Sequence, residues 1–172
     1  NYHHPLGFSL SRSNRACTAR KSTDRGWQKD LDRFDQLVTN CAGGVIFAYR
    51  LDGETILFNR IDSTGSFPWG EDGVSLPRRS HMWQIVSDGA GGVIIIWKES
   101  QYPAGAEPGE TRSTDSLFAL RINAAGDFLW VDEQGSGMLV YDFPQDIWID
   151  TLQVVEDGAG GVIITWFQVT ED

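Results

Sequence analysis

Apolar residues in this chain come in short runs, each entered through a cluster of glycines headed by an acidic or amide residue. Val93 to Trp97 follows Asp88-Gly-Ala-Gly-Gly, and Val162 to Trp166 follows Asp157-Gly-Ala-Gly-Gly. A third version, Asn40-Cys-Ala-Gly-Gly, leads into Val45 to Tyr49. Gly accepts positive φ, and Asp or Asn bonds to nearby backbone, so each cluster is predicted to reverse the chain between two strands. Val93 to Ile96 is β-branched throughout and does not alternate with polar residues. That pattern predicts a strand covered on both faces.

The runs recur in register, and a recurring unit governs the reading of the whole chain. Gln36 to Tyr49, Gln84 to Trp97 and Gln153 to Trp166 align without gaps. A second element, Arg60 to Trp69, matches Arg121 to Trp130. The spacing between copies grows in two places, a loop at 98–116 and the link from Trp130 to Gln153, and connections are where a repeating unit tolerates insertion. One strand before the turn, one after it, a third through Leu117 to Asn123 and a fourth from Phe128 give four antiparallel strands in about 50 residues, the size of a β-propeller blade.

The predicted fold is all-β, a propeller-like array of four-stranded blades left incomplete at about two and a half repeats. Residues 1–35 are a basic polar leader or the remnant of a preceding blade. Residues 36–83 form the first blade, 84–152 the second with its long loop, and 153–172 a truncated third. Trp97 and Trp166 are expected to pack between blades. Two readings of the leader stand side by side. Pro5 to Ser13 is a strand, with Trp27 closing a degenerate blade, or Trp27, Leu31 and Phe34 mark one face of a helix.

The two matched elements resemble repeats of secreted bacterial β-propeller proteins: an acidic-Gly-Ala-Gly-Gly turn into an apolar strand ending in Trp, then an Arg strand with a Gly turn and a second Trp. The resemblance covers residues 36–172. It implies a secreted or cell-surface bacterial protein in which this segment is a non-catalytic binding or structural module. The first copy departs from the pattern, with Cys41 and Tyr49 in place of Gly and Trp. The chain begins at Asn1 and stops at Asp172, before the third and fourth strands of the last repeat, and is expected to be a processed protein or a piece of one. Two and a half blades cannot close a ring. Further blades of a longer chain, other copies, or strands from the amino terminus are expected to complete it.

Composition and charge narrow the partners. A chain of 172 residues with 19 Gly and 7 Trp fits a turn-rich β protein. Residues 1–33 hold seven basic and three acidic side chains, +4, which leaves −14 for the rest of a chain whose total is −10. So acidic a body repels phosphate backbones, and no nucleic-acid partner is expected for the repeats. No apolar run approaches the roughly 20 residues of a membrane helix, so no membrane span is expected.

Candidate chemistry is sparse. The chain contains no Gly-x-Ser-x-Gly, phosphate loop, His-Glu-x-x-His or Cys-x-x-Cys pattern. His3, His4 and His81 are its only histidines. A propeller-type polysaccharide hydrolase or lyase working through paired carboxylates is the alternative to a binding module. A calcium-stabilised scaffold is another, because Asp88 and Asp157 put carboxylates in equivalent turns, with Asn40 as the third member. Asp132, Glu133, Asp142, Asp146 and Asp150 form a second acidic collection. Trp83, Tyr102 and Trp148 lie outside the repeat pattern and are the ligand candidates, suited to stacking on a saccharide or peptide. Cys41 replaces a turn glycine, and the resemblance to exported proteins implies a disulfide to Cys17, with two free thiols as the other reading.

Overall fold

A computed structural model describes residues 9–13, 16–20, 35–40, 43–50, 55–77, 82–101, 114–145 and 147–170. Strands β1 (Ser9–Ser13) and β2 (Ala16–Arg20) form a two-stranded antiparallel sheet. The first large sheet is a meander of β3 (Gln36–Thr39), β4 (Val45–Arg50), β5 (Thr55–Ile61) and β6 (Val74–Pro77). The second runs through β7 (Trp83–Ser87), β8 (Val93–Gln101) and β9 (Thr114–Ile122), and both β10 (Phe128–Leu129) and β11 (Met138–Asp142) pair with β9. Among the described residues the third holds β12 (Ile147–Glu156) and β13 (Val162–Thr170). Every pairing is antiparallel, and no helix occurs among the described residues. The all-β expectation holds, and Val45, Val93 and Val162 each open a strand straight after their glycines.

One local device makes the hairpins. In several of the described turns an Asp or Asn Oδ1 accepts N–H groups from two and four residues ahead. Asp88 takes Ala90 and Gly92 at 2.8 and 2.7 Å, and Asp157 takes Ala159 and Gly161 at 2.7 and 2.9 Å. Asp62 and Asn123 do the same in the turns that follow β5 and β9. The loop closes when the residue's own N–H donates to the carbonyl four residues on, as from Asp88 to Gly92 at 3.2 Å. That geometry needs a left-handed residue at the fourth position, which is Gly65, Gly91, Gly126 and Gly160 with φ between 85° and 94°. The sequence rule is thus Asp or Asn, two residues, then Gly.

The sheets stack face to face through their first strands, β3 against β7 and β7 against β12. Between the first and second sheets lie Ile46, Ala48, Ile56 and Phe58 against Trp83, Ile85, Val93, Ile95 and Trp97. Between the second and third lie Val86, Ile94, Ile96 and Leu117 against Ile149, Leu152 and Val154. Strand β8 therefore sends Val93 and Ile95 into one core and Ile94 and Ile96 into the other, all four buried, as its unbroken apolar run requires. Val45, Phe47 and Ile61 form a third buried group on the far face of the first sheet.

The outer strand of the second sheet departs from the simple four-strand plan. It breaks after β10 at Trp130, whose φ is 57°, and resumes as β11 behind Gly137, φ 96°. A Cβ at Gly137 would stand 2.4 Å from the Trp97 ring, so this glycine is what lets the strand lie across the indole. Trp97 is fully buried there, stacked on Phe118 with ring centroids 5.6 Å apart, and its Nε1 donates to Glu99 at 2.8 Å. Trp166, the equivalent residue of the third sheet, has no such cover and is 37% exposed. Trp97→Ala should cost about 3–5 kcal/mol in a denaturant melt, and Trp166→Ala roughly half of that or less. Equal losses would show that the two indoles are equally packed in solution.

Candidate functional site

The polar contacts with the longest reach join one sheet to the next. The Gln36 amide donates from Nε2 to Trp83 O and accepts at Oε1 from Ile85 N, 2.8 Å away. The Gln84 amide repeats this on the third sheet, donating to Leu152 O at 2.7 Å and accepting from Val154 N at 3.0 Å. In both cases the clamped residues flank the next glutamine of the series, Gln84 and then Gln153. A carboxamide carries one donor and one acceptor side, so it satisfies both main-chain groups of an otherwise unpaired strand edge. The three glutamines head the three aligned segments of the sequence. Their identity was visible there, but their reach across to another sheet was not.

Further ties flank each clamp. Arg60 Nη1 and Trp69 Nε1 both donate to Ala124 O of the second sheet, at 3.0 and 3.1 Å. Asp115, fully buried, accepts from Lys98 Nζ at 3.0 Å, from Ser100 Oγ at 2.6 Å and from Ile149 N of the third sheet at 3.0 Å. The other buried carboxylate, Asp88, gives Oδ1 to its turn and Oδ2 to Arg121, 2.9 Å from Nε and 2.8 Å from Nη2. Arg121 and Asp115 stand at opposite ends of β9, six residues and about 20 Å apart. The two buried carboxylates thus have separate cations and separate tasks.

The sequence-predicted residues are distributed rather than gathered. Trp83 is 6% exposed, opposite Trp97 in the β7–β8 ladder and edge-on to Phe58, so its ring belongs to the core between two sheets. Its position in the repeat matches Leu152, also buried, which is the signal that it faces inward. Trp148 is half-buried on β12, opposite Val169. Tyr102 and Cys41 lie outside the described residues, and with Cys41 the expected disulfide to Cys17 of β2. His3, His4, His81, Trp27 and Asp146 also lie outside them. Asp88 and Asp157 each serve their own turn, and among the described residues no group of three or more His, Cys, Asp or Glu side chains comes together as a metal site.

The exposed aromatic surface lies elsewhere, where β11 meets β13. Tyr141 and Trp166 are exposed, with ring centroids 5.8 Å apart, and both lean on buried Phe143 at 4.8 and 5.6 Å. Sequence reading missed Tyr141 because its strand follows an interruption that the repeat does not predict. No helix among the described residues is long and apolar enough to cross a membrane. No protein-family model, curated protein or solved structure matches the chain.

The turn carboxylates give a pH dependence. Backbone N–H donors from Ala159 and Gly161 hold the Asp157 carboxyl below its ordinary 3.8, and the Thr64 hydroxyl, with N–H donors from Ser66 and Thr64, does so for Asp62. Their contribution is complete at neutral pH and disappears as the pH falls below 3.8 through each folded-state value. Asp157→Asn keeps the acceptor and removes the titration, so an acid melt of this variant should show a shallower loss near the β12–β13 turn, while Asp157→Ala loses the turn at every pH. A second expectation concerns the first sheet, where Asn40 stands at the position of Asp88 and the buried Arg60 Nε has no hydrogen-bond partner among the described residues. Asn40→Asp should supply the carboxylate that Arg121 already has and raise stability by about 1 kcal/mol, read as a higher denaturation midpoint.

Proposed function

We propose that the chain is a segment of a β-propeller-type array acting as a non-catalytic binding or structural module of an exported bacterial protein. The observation that carries the architectural half is the glutamine clamp, made twice between successive first strands in the same register. Such repetition suits sheets set around a common axis with their first strands innermost. The export half rests on the resemblance of the Gly-Ala-Gly-Gly and Trp elements to secreted bacterial repeats. A module is favoured over a hydrolase because Asp88 and Asp115 are tied to Arg121 and Lys98 at opposite ends of β9. Carboxylates that cut a glycosidic bond face one another across roughly 5–10 Å of open cleft. A saccharide or peptide ligand has its best platform at Tyr141 and Trp166, where two exposed rings share one buried support.

Two measurements test this. Gln84→Ala leaves Leu152 O and Val154 N without their partners, at about 1–3 kcal/mol for each group that stays dry. Hydrogen exchange at the Val154 amide should speed up while the amides paired within β8 and β9 stay protected. Uniform loss of protection across all three sheets would argue against a stack of discrete units. For the activity, incubation with a panel of acidic and neutral polysaccharides should release no new reducing or unsaturated ends. Release abolished by Asp115→Asn would establish the enzyme reading instead.

A further inference from the structure

We propose that the outer edge of β11 takes an extended basic and apolar peptide as a further strand of the second sheet, which deepens the binding-module reading and rests on it.

The direction of the main-chain groups of β11 follows from its partners. Phe143 N donates to Asp115 O at 2.9 Å, Tyr141 stands opposite Leu117, and Met138 stands opposite Ala119. Asp115, Leu117 and Ala119 are alternate residues of β9, so all three turn their main-chain groups toward β11. Leu139 and Asp142, opposite Phe118 and Ser116, therefore turn their own N–H and C=O groups away from β9. Among the described residues no strand pairs with that side. The edge lies in the plane of its sheet, so a sheet stacked on either face leaves it open.

An open edge is ordinarily guarded, and the two large sheets differ in this. In the first sheet the outer strand β6 has four residues and ends at Pro77, which has no N–H to offer. Its Leu76 is buried and its Ser75 is exposed. Strand β11 contains neither Pro nor Lys, and Met138, Leu139, Val140 and Tyr141 are each between 39% and 49% exposed. The register shift between Leu139 and Tyr141 is its one guard. Such a bulge bends the strand, so a long flat partner does not seat and the edge suits a short segment.

Charge selects the partner. From Ile122 to Asp172 the chain holds ten acidic side chains and no Lys, Arg or His. Asp132 and Glu133 lie exposed just ahead of β11, and Asp142 lies exposed within it. A second copy of so acidic a surface is repelled, whereas a cationic peptide is drawn in. Asp142 Oδ1 accepts from Ser116 Oγ at 2.6 Å, which holds the carboxylate against its own strand. Strand addition then sets Lys or Arg opposite Asp142 and an apolar or aromatic residue opposite Tyr141.

The probe is an end-capped peptide of about seven residues that alternates Lys and Val, titrated into the nitrogen-15-labelled chain. Shifted amide resonances and slowed hydrogen exchange are expected at Leu139 and Asp142, with affinity falling as salt is added. No binding, or protection confined to other strands, overturns the proposal. The same peptide with N-methylated amides should not bind, and neither should one with Glu in place of Lys. Undiminished binding of the first rules out strand addition, and of the second rules out the charge. Val140→Lys places a cation on the exposed edge and should weaken binding roughly tenfold or more. Unchanged exchange at Ile85 and Val154 reports that this variant folds, and full affinity in the folded variant places the peptide elsewhere. Asp142→Asn keeps the outward N–H and an acceptor for Ser116, so it should cost less affinity and flatten the salt dependence. An unaltered salt dependence rejects the pairing at Asp142. Protection of these amides that grows with protein concentration, without peptide, would mean edge-to-edge pairing of two copies and overturns the peptide as occupant. If the peptide fails while no polysaccharide is cut, the module reading stands and only the edge fails. If polysaccharide release depends on Asp115, the module reading itself fails.

Discussion

A strand edge that becomes covered must still find partners for its main-chain N–H and C=O groups. Among the described residues β7 and β12 are first strands with no strand paired on one edge, and a sheet lies over each. A second strand cannot pair there, because the covering sheet presents side chains rather than backbone. The glutamine carboxamide solves this by bringing a donor and an acceptor on one flexible stem, matched to a carbonyl and an amide two residues apart. The consequence is register. A slip of one residue along β12 would remove both bonds from Gln84 and would also turn Leu152 and Val154 out of the core, so polar and apolar terms specify the same alignment.

Within each sheet the determinants are local. The Asp or Asn turn needs only five residues to close, and its glycine supplies the one left-handed φ. Neighbouring strands of the larger sheets follow one another in sequence, apart from β11, which passes β10 to reach β9. Beside the two apolar cores, the polar contacts between sheets are few: two glutamines, the Ala124 carbonyl shared by Arg60 and Trp69, and Asp115 bridging to Ile149. Asp88 links the two levels. It closes its own turn with one oxygen and anchors Arg121 of β9 with the other, so the first hairpin and the third strand are fixed by a single buried carboxylate.

What the sequence disclosed follows from this division. The turns and the strands they open were legible because Asp or Asn, two residues and Gly is a rule written in neighbouring positions. The double burial of β8 was legible because four successive β-branched residues leave no face for water. Trp83 falls just outside the matched segments, and its place in the core shows only across the ladder, where it stands opposite Trp97. The break at Trp130 was invisible because a tryptophan with positive φ has no sequence signature, and only the Trp97 ring beneath Gly137 explains the detour. The carboxylates considered for calcium have hydrogen-bond work that sequence does not reveal, since a turn carboxylate and a metal ligand are the same residue type.

Trp97 and Trp166 show how much of a residue's role belongs to its neighbours. Both end the apolar run that follows the same glycine turn, and both lie opposite a buried residue of the preceding strand, Trp83 and Leu152. Trp97 is sealed because Phe118 of β9 stacks on it and the approach to β11 passes over it. Among the described residues β13 pairs only with β12, so Trp166 rests on Phe143 and Tyr141 with one side open. The same incompleteness leaves Val155, Ile163 and Phe167 bare and the Gln153 amide idle. These are not separate surface features. They are the side chains of one uncovered sheet face, and the apolar area they share is what any covering surface would remove from water.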